Sequence, residues 1–191
     1  YAVATINFRD LPDGTGYPGT VQDDFCALAW VYANAETYGL DTTRVAGIGH
    51  SLGGTLVAML AAVDDPALFM EGCPSPLPAG PLLHAAVTFT GIFDYPGATA
   101  ESPGLRSYAV EYLGAEQDQS PEVWAQASPV TWVNGQEPPF LLIHGGSDDN
   151  IPPEHARRFA TGLEGAGVEV QLVLVPGADH NRIVRSVEWY A

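Results

Sequence analysis

Short apolar runs divide the chain into segments that predict alternating strands and helices. Five of these runs are rich in branched or aromatic side chains and too short for helices, so they predict β-strands at 2–8, 44–49, 84–90, 140–144 and 168–175. Runs of this kind are typical of strands that are covered on both faces of a sheet. We therefore expect a buried central sheet.

Apolar residues recur at helical spacing between the predicted strands. The first helical segment covers 20–38, where Thr20 or Asp23 is placed to cap the N-terminus and Gly39 to end the helix. Three later segments are also predicted to be helical: 51–63, 153–165 and the amphipathic stretch 181–189. Strands that alternate with helices of this length predict an α/β fold, with a mostly parallel sheet and helices on both faces.

The segment 95–134 interrupts this alternation. It carries prolines and large aromatic side chains and predicts an insertion of short helices and loops. Such an insertion either covers a functional site as a small lid or elaborates the structure, and the pattern leaves both open. Because no shift in composition marks a second domain, we expect residues 1–191 to form a single domain with this insertion at about 95–134.

Composition excludes several classes of protein. With 191 residues, of which 46% are hydrophobic, the chain is long enough to bury a core. Its formal net charge of -16 would repel a polyanion, so nucleic acid is not an expected partner. The longest clean apolar run, 56–63, is far too short for a membrane span. Cys26 and Cys73 are expected to be two buried thiols, with a single disulfide as the alternative.

The sharpest local motif is a G-x-S-x-G pentapeptide formed by Gly49, Ser51 and Gly53 with their neighbours. It lies between a predicted strand and a predicted helix, which is the context of a nucleophile elbow. The two glycines are expected to leave room in so tight a turn. The turn would hold the Ser51 hydroxyl at a helix N-terminus, where free backbone N–H groups favour a developing oxyanion.

A serine hydroxyl needs a base to remove its proton, and the base needs an orienting carboxylate. Asp148 follows the predicted strand 140–144, and His180 follows the strand 168–175. Loops at the carboxyl ends of parallel strands gather at one edge of a sheet, so these residues are expected to converge on Ser51. Asp149 is an alternative to Asp148, whereas Asp179 is expected to be a solvated loop residue.

Together with this order of serine, acid and histidine, several short segments carry a resemblance to a known family. They are Asn7-Phe8-Arg9, Tyr38-Gly39-Leu40-Asp41, Gly91-Ile92-Phe93-Asp94 and the stretch from His144-Gly145 to Ile151-Pro152. The chain resembles the α/β-hydrolases, and more narrowly their carboxylesterase and feruloyl-esterase branch, which is related to hormone-sensitive lipases. The resemblance implies an α/β-hydrolase fold and a serine hydrolase that cleaves carboxylic esters through an acyl-enzyme.

The resemblance also implies roles for individual residues. Ser51 would be the nucleophile, Asp148 the orienting acid and His180 the base, and Leu52 would supply one oxyanion-hole N–H. The substrate would be a small-molecule ester, and no cofactor is implied. We also expect no metal, since the remaining histidines lack a carboxylate or cysteine arrangement of the kind that holds one.

Aromatic residues of the insertion are candidates for substrate contacts. Most of them are expected to form the core of the insertion, but Trp124 or Trp132 is a candidate to line an acyl or aryl pocket.

The resembled family has a His-Gly-Gly segment before the strand that matches 2–8, and it has an earlier strand within the sheet. Neither precedes Ala2 in this sequence. We therefore expect the chain to be the C-terminal portion of a protein about 60 to 100 residues longer.

Three other functions use the same residues. They are an arylformamidase, a peptidase of the prolyl-oligopeptidase type, and a catalytically silent hydrolase fold that serves in binding.

Overall fold

A parallel four-stranded sheet forms the centre of the computed structural model, which describes residues 1–9, 11, 16–97 and 102–185. The strands are β1 (Ala46–His50), β2 (Ala85–Phe89), β3 (Phe140–Gly145) and β4 (Val170–Val175). They lie side by side in chain order, and every adjacent pair is parallel. Four of the five predicted strands, and the α/β class that they indicate, are therefore confirmed.

The first predicted strand, 2–8, is wrong. Residues 1–9 form no regular secondary structure, and residues 1–7 are exposed. An extended segment becomes a strand only when a neighbouring strand accepts and donates its backbone hydrogen bonds. Among the described residues, β1 pairs only with β2, so 2–8 has no such neighbour.

Six α-helices lie wholly within the described part of the chain. They are α1 (Gly19–Ala33), α2 (Ala35–Tyr38), α3 (Leu52–Ala62), α4 (Pro103–Leu113), α5 (Pro121–Gln126) and α6 (Glu154–Gly165). Short 3-10 turns lie at Pro66–Phe69, Pro129–Trp132 and Arg182–Val184. None of the helices described is long and apolar enough to cross a bilayer.

The predicted helix 20–38 is divided at Asn34 into α1 and α2, and Gly39 ends α2 in the left-handed conformation, with φ 63°. Neither candidate cap acts as one. The Thr20 hydroxyl forms a hydrogen bond of 2.5 Å with the Tyr112 hydroxyl. The Asp23 carboxylate instead accepts hydrogen bonds from the backbone and guanidinium of Arg9.

The predicted C-terminal helix 181–189 is described only in part. Its described portion contains the 3-10 turn Arg182–Val184, and residues 186–189 lie outside the described residues.

The core lies mainly on one face of the sheet. Helices α3 and α6 pack there, with Val57, Phe159 and Leu163 against Phe140 and Leu142, and all five side chains are buried. Helix α1 packs in turn against α3. The opposite face carries a smaller cluster around Ile183, and it leaves Ile48 of β1 69% exposed. The predicted covering of the sheet by helices is thus found on the face where α3 and α6 pack.

Cys26 and Cys73 form a disulfide, so the expectation of two separate thiols is wrong. The bond joins α1 to the segment that follows the turn Pro66–Phe69 and closes a loop over a sequence separation of 47. The two residues are far apart in the sequence, and only the packing of α1 brings their Cα atoms to 4.9 Å.

Candidate active site

Ser51 occupies a sharp turn between β1 and α3. Its backbone has φ 57° and ψ -123°, a conformation that non-glycine residues rarely adopt. The turn is held by hydrogen bonds. The Ser51 N–H donates to the Phe89 carbonyl at 2.9 Å, and the Gly54 N–H donates to the Ser51 carbonyl at 2.9 Å. Backbone strain held by the surrounding structure is common at functional sites.

Only one of the two motif glycines is required by close contact. A Cβ atom at Gly49 would lie 2.1 Å from the Gly53 carbonyl oxygen, so no larger residue fits there. Beyond its own helix backbone, a Cβ atom at Gly53 would meet none of the described residues within 4 Å, so the expectation that Gly53 makes room in the turn is wrong. Gly54 is closer to its surroundings, since a Cβ atom there would lie 3.1 Å from the Phe89 carbonyl oxygen.

The hydroxyl of Ser51, the ring of His180 and the carboxylate of Asp148 form one continuous hydrogen-bonded relay. His180 Nε2 lies 3.0 Å from Ser51 Oγ, and His180 Nδ1 lies 2.9 Å from Asp148 Oδ2. A carboxylate only accepts, so Nδ1 carries the proton that it donates to Asp148. In the neutral ring Nε2 is then free to accept the Ser51 proton.

Asp148 is buried but remains a carboxylate. Burial favours the neutral acid, yet hydrogen bonds from His180 and from the Ile151 N–H outweigh it and hold the pKa of Asp148 below its ordinary value. Its Oδ1 accepts from the backbone N–H groups of Asn150 and Ile151 at 3.0 and 2.9 Å. These bonds fix the carboxylate that faces His180.

The neighbouring aspartates lie elsewhere. Asp149 is exposed and lines the cavity described below. The Asp179 carboxylate accepts from the backbone N–H groups of Asn181 and Arg182, and these bonds hold the pKa of Asp179 below its ordinary value. Of the three candidates, Asp148 is therefore the one that contacts His180.

Leu52 begins α3 directly after Ser51, which places its backbone N–H in the first turn of the helix. The first N–H groups of a helix have no partner within the helix and point towards its N-terminal end. Within the part of the chain that the structure describes, no backbone acceptor binds this N–H. It is therefore available to a ligand that reaches Ser51.

A cavity of about 360 Å³ opens beside Ser51 and His180. Its walls are largely apolar and come from several elements: Leu52, Ile92, Tyr95, Leu105, Tyr108 and Ile151. Three of these residues, Tyr95, Leu105 and Tyr108, belong to the predicted insertion. The insertion thus forms part of the cavity wall.

Trp124 and Trp132 do not line this cavity. Trp124 is fully buried, and its indole N–H donates to the Ala115 carbonyl at 3.0 Å. The indole N–H of Trp132 donates to the Gln126 carbonyl at 2.9 Å. Trp124 packs within the insertion, whereas the ring of Trp132 packs against side chains of α1 and α3. The placement of both rings therefore disagrees with the predicted substrate contact.

The sequence predicts no catalytic role for two histidines that lie beside the relay. His50 Nε2 lies 2.8 Å from the His180 carbonyl oxygen, to which it donates, and the two rings lie 5.1 Å apart. His144 is fully buried, and its Nε2 donates to the Ile151 carbonyl at 2.9 Å. Burial lowers the pKa of His144, so this ring stays neutral beside Asp148. The signals in the sequence are that His50 lies inside the elbow motif and that His144 lies four residues before Asp148.

The BD-FAE family model matches residues 1–163 of the chain. Among curated proteins, the chain is similar to esterase LipQ of Mycobacterium tuberculosis, with 30% identity over 92% of this chain and 41% of the relative. It is also similar to the ethyl acetate hydrolase of Pseudomonas putida, with 26% identity over 94% of this chain and 55% of the relative. The chain therefore spans about half or less of the length of these relatives.

Solved structures show the same fold. A truncated carbohydrate esterase from gut microbiota superposes with a TM-score of 0.77 and 22% identity, covering 97% of this chain and 69% of that one. An esterase of Thermogutta terrifontis with bound propionate superposes with a TM-score of 0.72 and 25% identity, over 92% of this chain and 60% of that one.

Proposed function

The chain belongs to the BD-FAE family of α/β-hydrolases, and from that premise we propose that it is a serine hydrolase that cleaves carboxylic esters through an acyl-enzyme on Ser51. The observation that carries this proposal is the unbroken relay from Asp148 through His180 to Ser51. The distance from His180 to Ser51 matches that at which a base removes a proton from a nucleophile, and Asp148 lies within hydrogen-bond distance of the base.

Acylation begins with attack of Ser51 Oγ on the ester carbonyl carbon. His180 Nε2 takes the hydroxyl proton as the new C–O bond forms, and Asp148 stabilises the resulting imidazolium. The negative charge passes to the carbonyl oxygen, which the Leu52 N–H stabilises. When the tetrahedral intermediate collapses, the ester C–O bond breaks and His180 returns the proton to the departing alcohol.

Deacylation repeats these steps with water. His180 Nε2 removes a proton from the water as its oxygen attacks the acyl carbon. Collapse of the second tetrahedral intermediate breaks the bond to Ser51 Oγ, which recovers its proton from His180. The products are a carboxylic acid and a free enzyme in its starting protonation state.

The names of the relatives support an ester substrate over the alternatives. Esterase LipQ and ethyl acetate hydrolase are both named for ester cleavage. An arylformamidase or a peptidase would use the same relay, and none of the described residues that line the cavity favours an amide. We also infer that the insertion at 95–134 acts as a lid within a single domain, since Tyr95, Leu105 and Tyr108 are among its residues that line the cavity.

Hydrolysis of p-nitrophenyl butyrate by the wild-type chain and by the Ser51→Ala variant tests the proposal. We expect Ser51→Ala to lower kcat by about 10⁴-fold or more, because the covalent route is lost and only binding effects remain. Ser147→Ala is the matched control. Ser147 is exposed and does not line the cavity, so its replacement is expected to leave turnover unchanged.

Equal turnover by the wild-type and Ser51→Ala proteins would contradict the proposal. Turnover of an aryl formamide or a peptide, but not of the ester, would favour one of the alternative enzymes instead.

A further inference from the structure

Tyr95 is a buried tyrosine whose hydroxyl has no hydrogen-bond partner among the residues that the structure describes. The side chain is 1% exposed, and the residue lines the cavity beside Ser51. A buried donor without a partner costs free energy that a phenylalanine at the same position would avoid. Such a group calls for an explanation, and a polar atom of a ligand bound in the cavity would supply the partner.

The ring of Tyr95 is held firmly in place. It stacks against Tyr112 with ring centroids 5.8 Å apart. Its backbone N–H donates to Ser128 Oγ at 3.0 Å, and the Ser128 hydroxyl donates in turn to the Trp124 carbonyl at 2.7 Å. The hydroxyl therefore sits at the end of a fixed ring, which reduces the entropy lost when it binds a ligand.

The neighbouring Tyr112 differs from Tyr95 in the hydrogen bonding of its hydroxyl. Tyr112 is also buried, but its hydroxyl is paired with Thr20 Oγ1. This pair links the insertion to α1 and accounts for the Tyr112 hydroxyl as a structural group. The Tyr95 hydroxyl has no corresponding bond to any residue that the structure describes.

The cavity determines which ligand atom Tyr95 would meet. Burial raises the pKa of the Tyr95 phenol well above its ordinary value, so the hydroxyl keeps its proton and acts as a donor. Among the described residues that line the cavity there is no lysine or arginine, and Asp149 adds negative charge. A carboxylate on the substrate would be repelled, whereas a neutral oxygen would not.

We propose that the Tyr95 hydroxyl donates a hydrogen bond to a neutral oxygen of the substrate, an ether, hydroxyl or carbonyl oxygen next to the scissile ester. Tyr95 is then a specificity-determining residue that selects oxygenated esters over hydrocarbon esters of the same shape. This inference rests on the proposed esterase activity of Ser51 and adds to it the class of ester.

Two pairs of esters, each differing by one oxygen in place of a methylene group, test the inference. The acyl pair is p-nitrophenyl methoxyacetate and p-nitrophenyl butyrate, and the alcohol pair is 2-methoxyethyl acetate and n-butyl acetate. For each pair the ratio of kcat/KM values, oxygenated over hydrocarbon, is measured with the wild-type and Tyr95→Phe proteins. Intrinsic reactivity cancels when the two enzymes are compared, since the esters are the same.

We expect Tyr95→Phe to lower this ratio by about tenfold in one pair, the size of one neutral hydrogen bond. The pair affected tells whether the oxygen belongs to the acyl or the alcohol part. Tyr112→Phe is the matched control and is expected to leave both ratios unchanged. Its melting temperature should fall because Thr20 loses its partner, whereas that of ligand-free Tyr95→Phe should stay equal or rise.

Unchanged ratios in both pairs, with all four esters hydrolysed, would overturn the inference and leave the esterase proposal intact. A fall in melting temperature for Tyr95→Phe equal to that of Tyr112→Phe would also overturn it, because the hydroxyl would then have a structural partner. If the wild-type protein hydrolyses none of the four esters, the proposed function fails and this inference fails with it.

Discussion

His180 is held at three points by its neighbours. Its two ring nitrogens contact Ser51 and Asp148, and its backbone carbonyl accepts a hydrogen bond from His50. A base that moves a proton in each step must keep its ring aligned within a few tenths of an ångström. Each contact should therefore have its own effect on turnover.

Of the two contacts that orient His180, the one with Asp148 is expected to matter more than the one with His50. Asp148→Asn replaces the acceptor of the Nδ1 proton with an amide that can present a donor, so the ring no longer has Nε2 free to act as base. We expect kcat for p-nitrophenyl butyrate to fall by about 10³ to 10⁴-fold. Asp149→Asn is the matched change at the next residue, and it should cost far less. A larger loss for Asp149→Asn than for Asp148→Asn would contradict this assignment.

His50 is predicted to position the loop that carries His180 without touching substrate. His50→Ala removes the donor to the His180 carbonyl and should lower kcat about tenfold while KM changes little. His50→Gln should recover much of the loss, because an amide N–H can donate in place of the ring. Equal kcat values for all three proteins, measured under saturating ester, would rule out the positioning role.

The sequence predicts the relay residues well and the other cavity residues poorly. Ser51, Asp148 and His180 each follow a strand, and parallel strands bring their carboxyl ends to one edge. Tyr95 and Tyr108 reach the cavity only through the path of the insertion, which no local pattern specifies. The path of the insertion also explains why Trp124, a candidate for substrate contact, is instead buried within the insertion.

Helix α1 carries a buried acid whose ionisation opposes folding. Asp24 is 5% exposed, and burial, with the nearby charge of Asp23, raises its pKa to about 7. The unfolded chain has an ordinary value of 3.8. The stability contributed by the neutral form is therefore fully present below pH 3.8, declines as the pH rises, and is lost above about pH 7.

Asp24→Asn should remove this dependence. Below pH 4 the two proteins should have similar free energies of unfolding, and at pH 8 the variant should be more stable by up to about 4 kcal/mol. Urea unfolding of both proteins between pH 4 and pH 8 measures the difference. Other carboxylates, such as Asp148, titrate in both proteins and cancel. A difference that is constant with pH would contradict the burial of an ionisable Asp24.

Among the secondary-structure elements, the local apolar pattern predicts the bounds of the strands but not the contacts between distant segments. The strands β1 to β4 lie within two residues of their predicted bounds, because continuous apolar runs between turns are strong signals. The segment 2–8 has a similar pattern but forms no strand, because a strand also needs a partner. The bond between Cys26 and Cys73 depends likewise on tertiary packing that spacing alone does not reveal.

For the whole molecule, charge is the property that most affects substrates. The chain has a formal net charge of -16, and Asp149 adds a carboxylate at the cavity itself. Such a field disfavours the approach of anions and leaves neutral molecules unaffected. It also favours departure of the carboxylate product.

The effect of this negative charge on substrates should appear in the salt dependence of kcat/KM. We expect kcat/KM for an anionic ester, mono-p-nitrophenyl succinate, to rise several-fold between 10 mM and 500 mM NaCl, because added ions screen the repulsion. The value for neutral p-nitrophenyl butyrate should stay nearly constant. In Asp149→Asn the rise should be smaller. The same salt response for both esters would show that charge does not select the substrate.

Activation of Ser51 by the relay is most directly tested by covalent labelling with a fluorophosphonate, followed by intact mass and peptide mapping. We predict one adduct per chain, located on Ser51, with loss of labelling in Ser51→Ala and labelling slowed by several orders of magnitude in His180→Ala. The fluoride leaves as Ser51 Oγ bonds to phosphorus, so the reaction reports the nucleophile without depending on the choice of ester. No adduct on the wild-type protein, or equal labelling of Ser51→Ala, would contradict the catalytic role of Ser51.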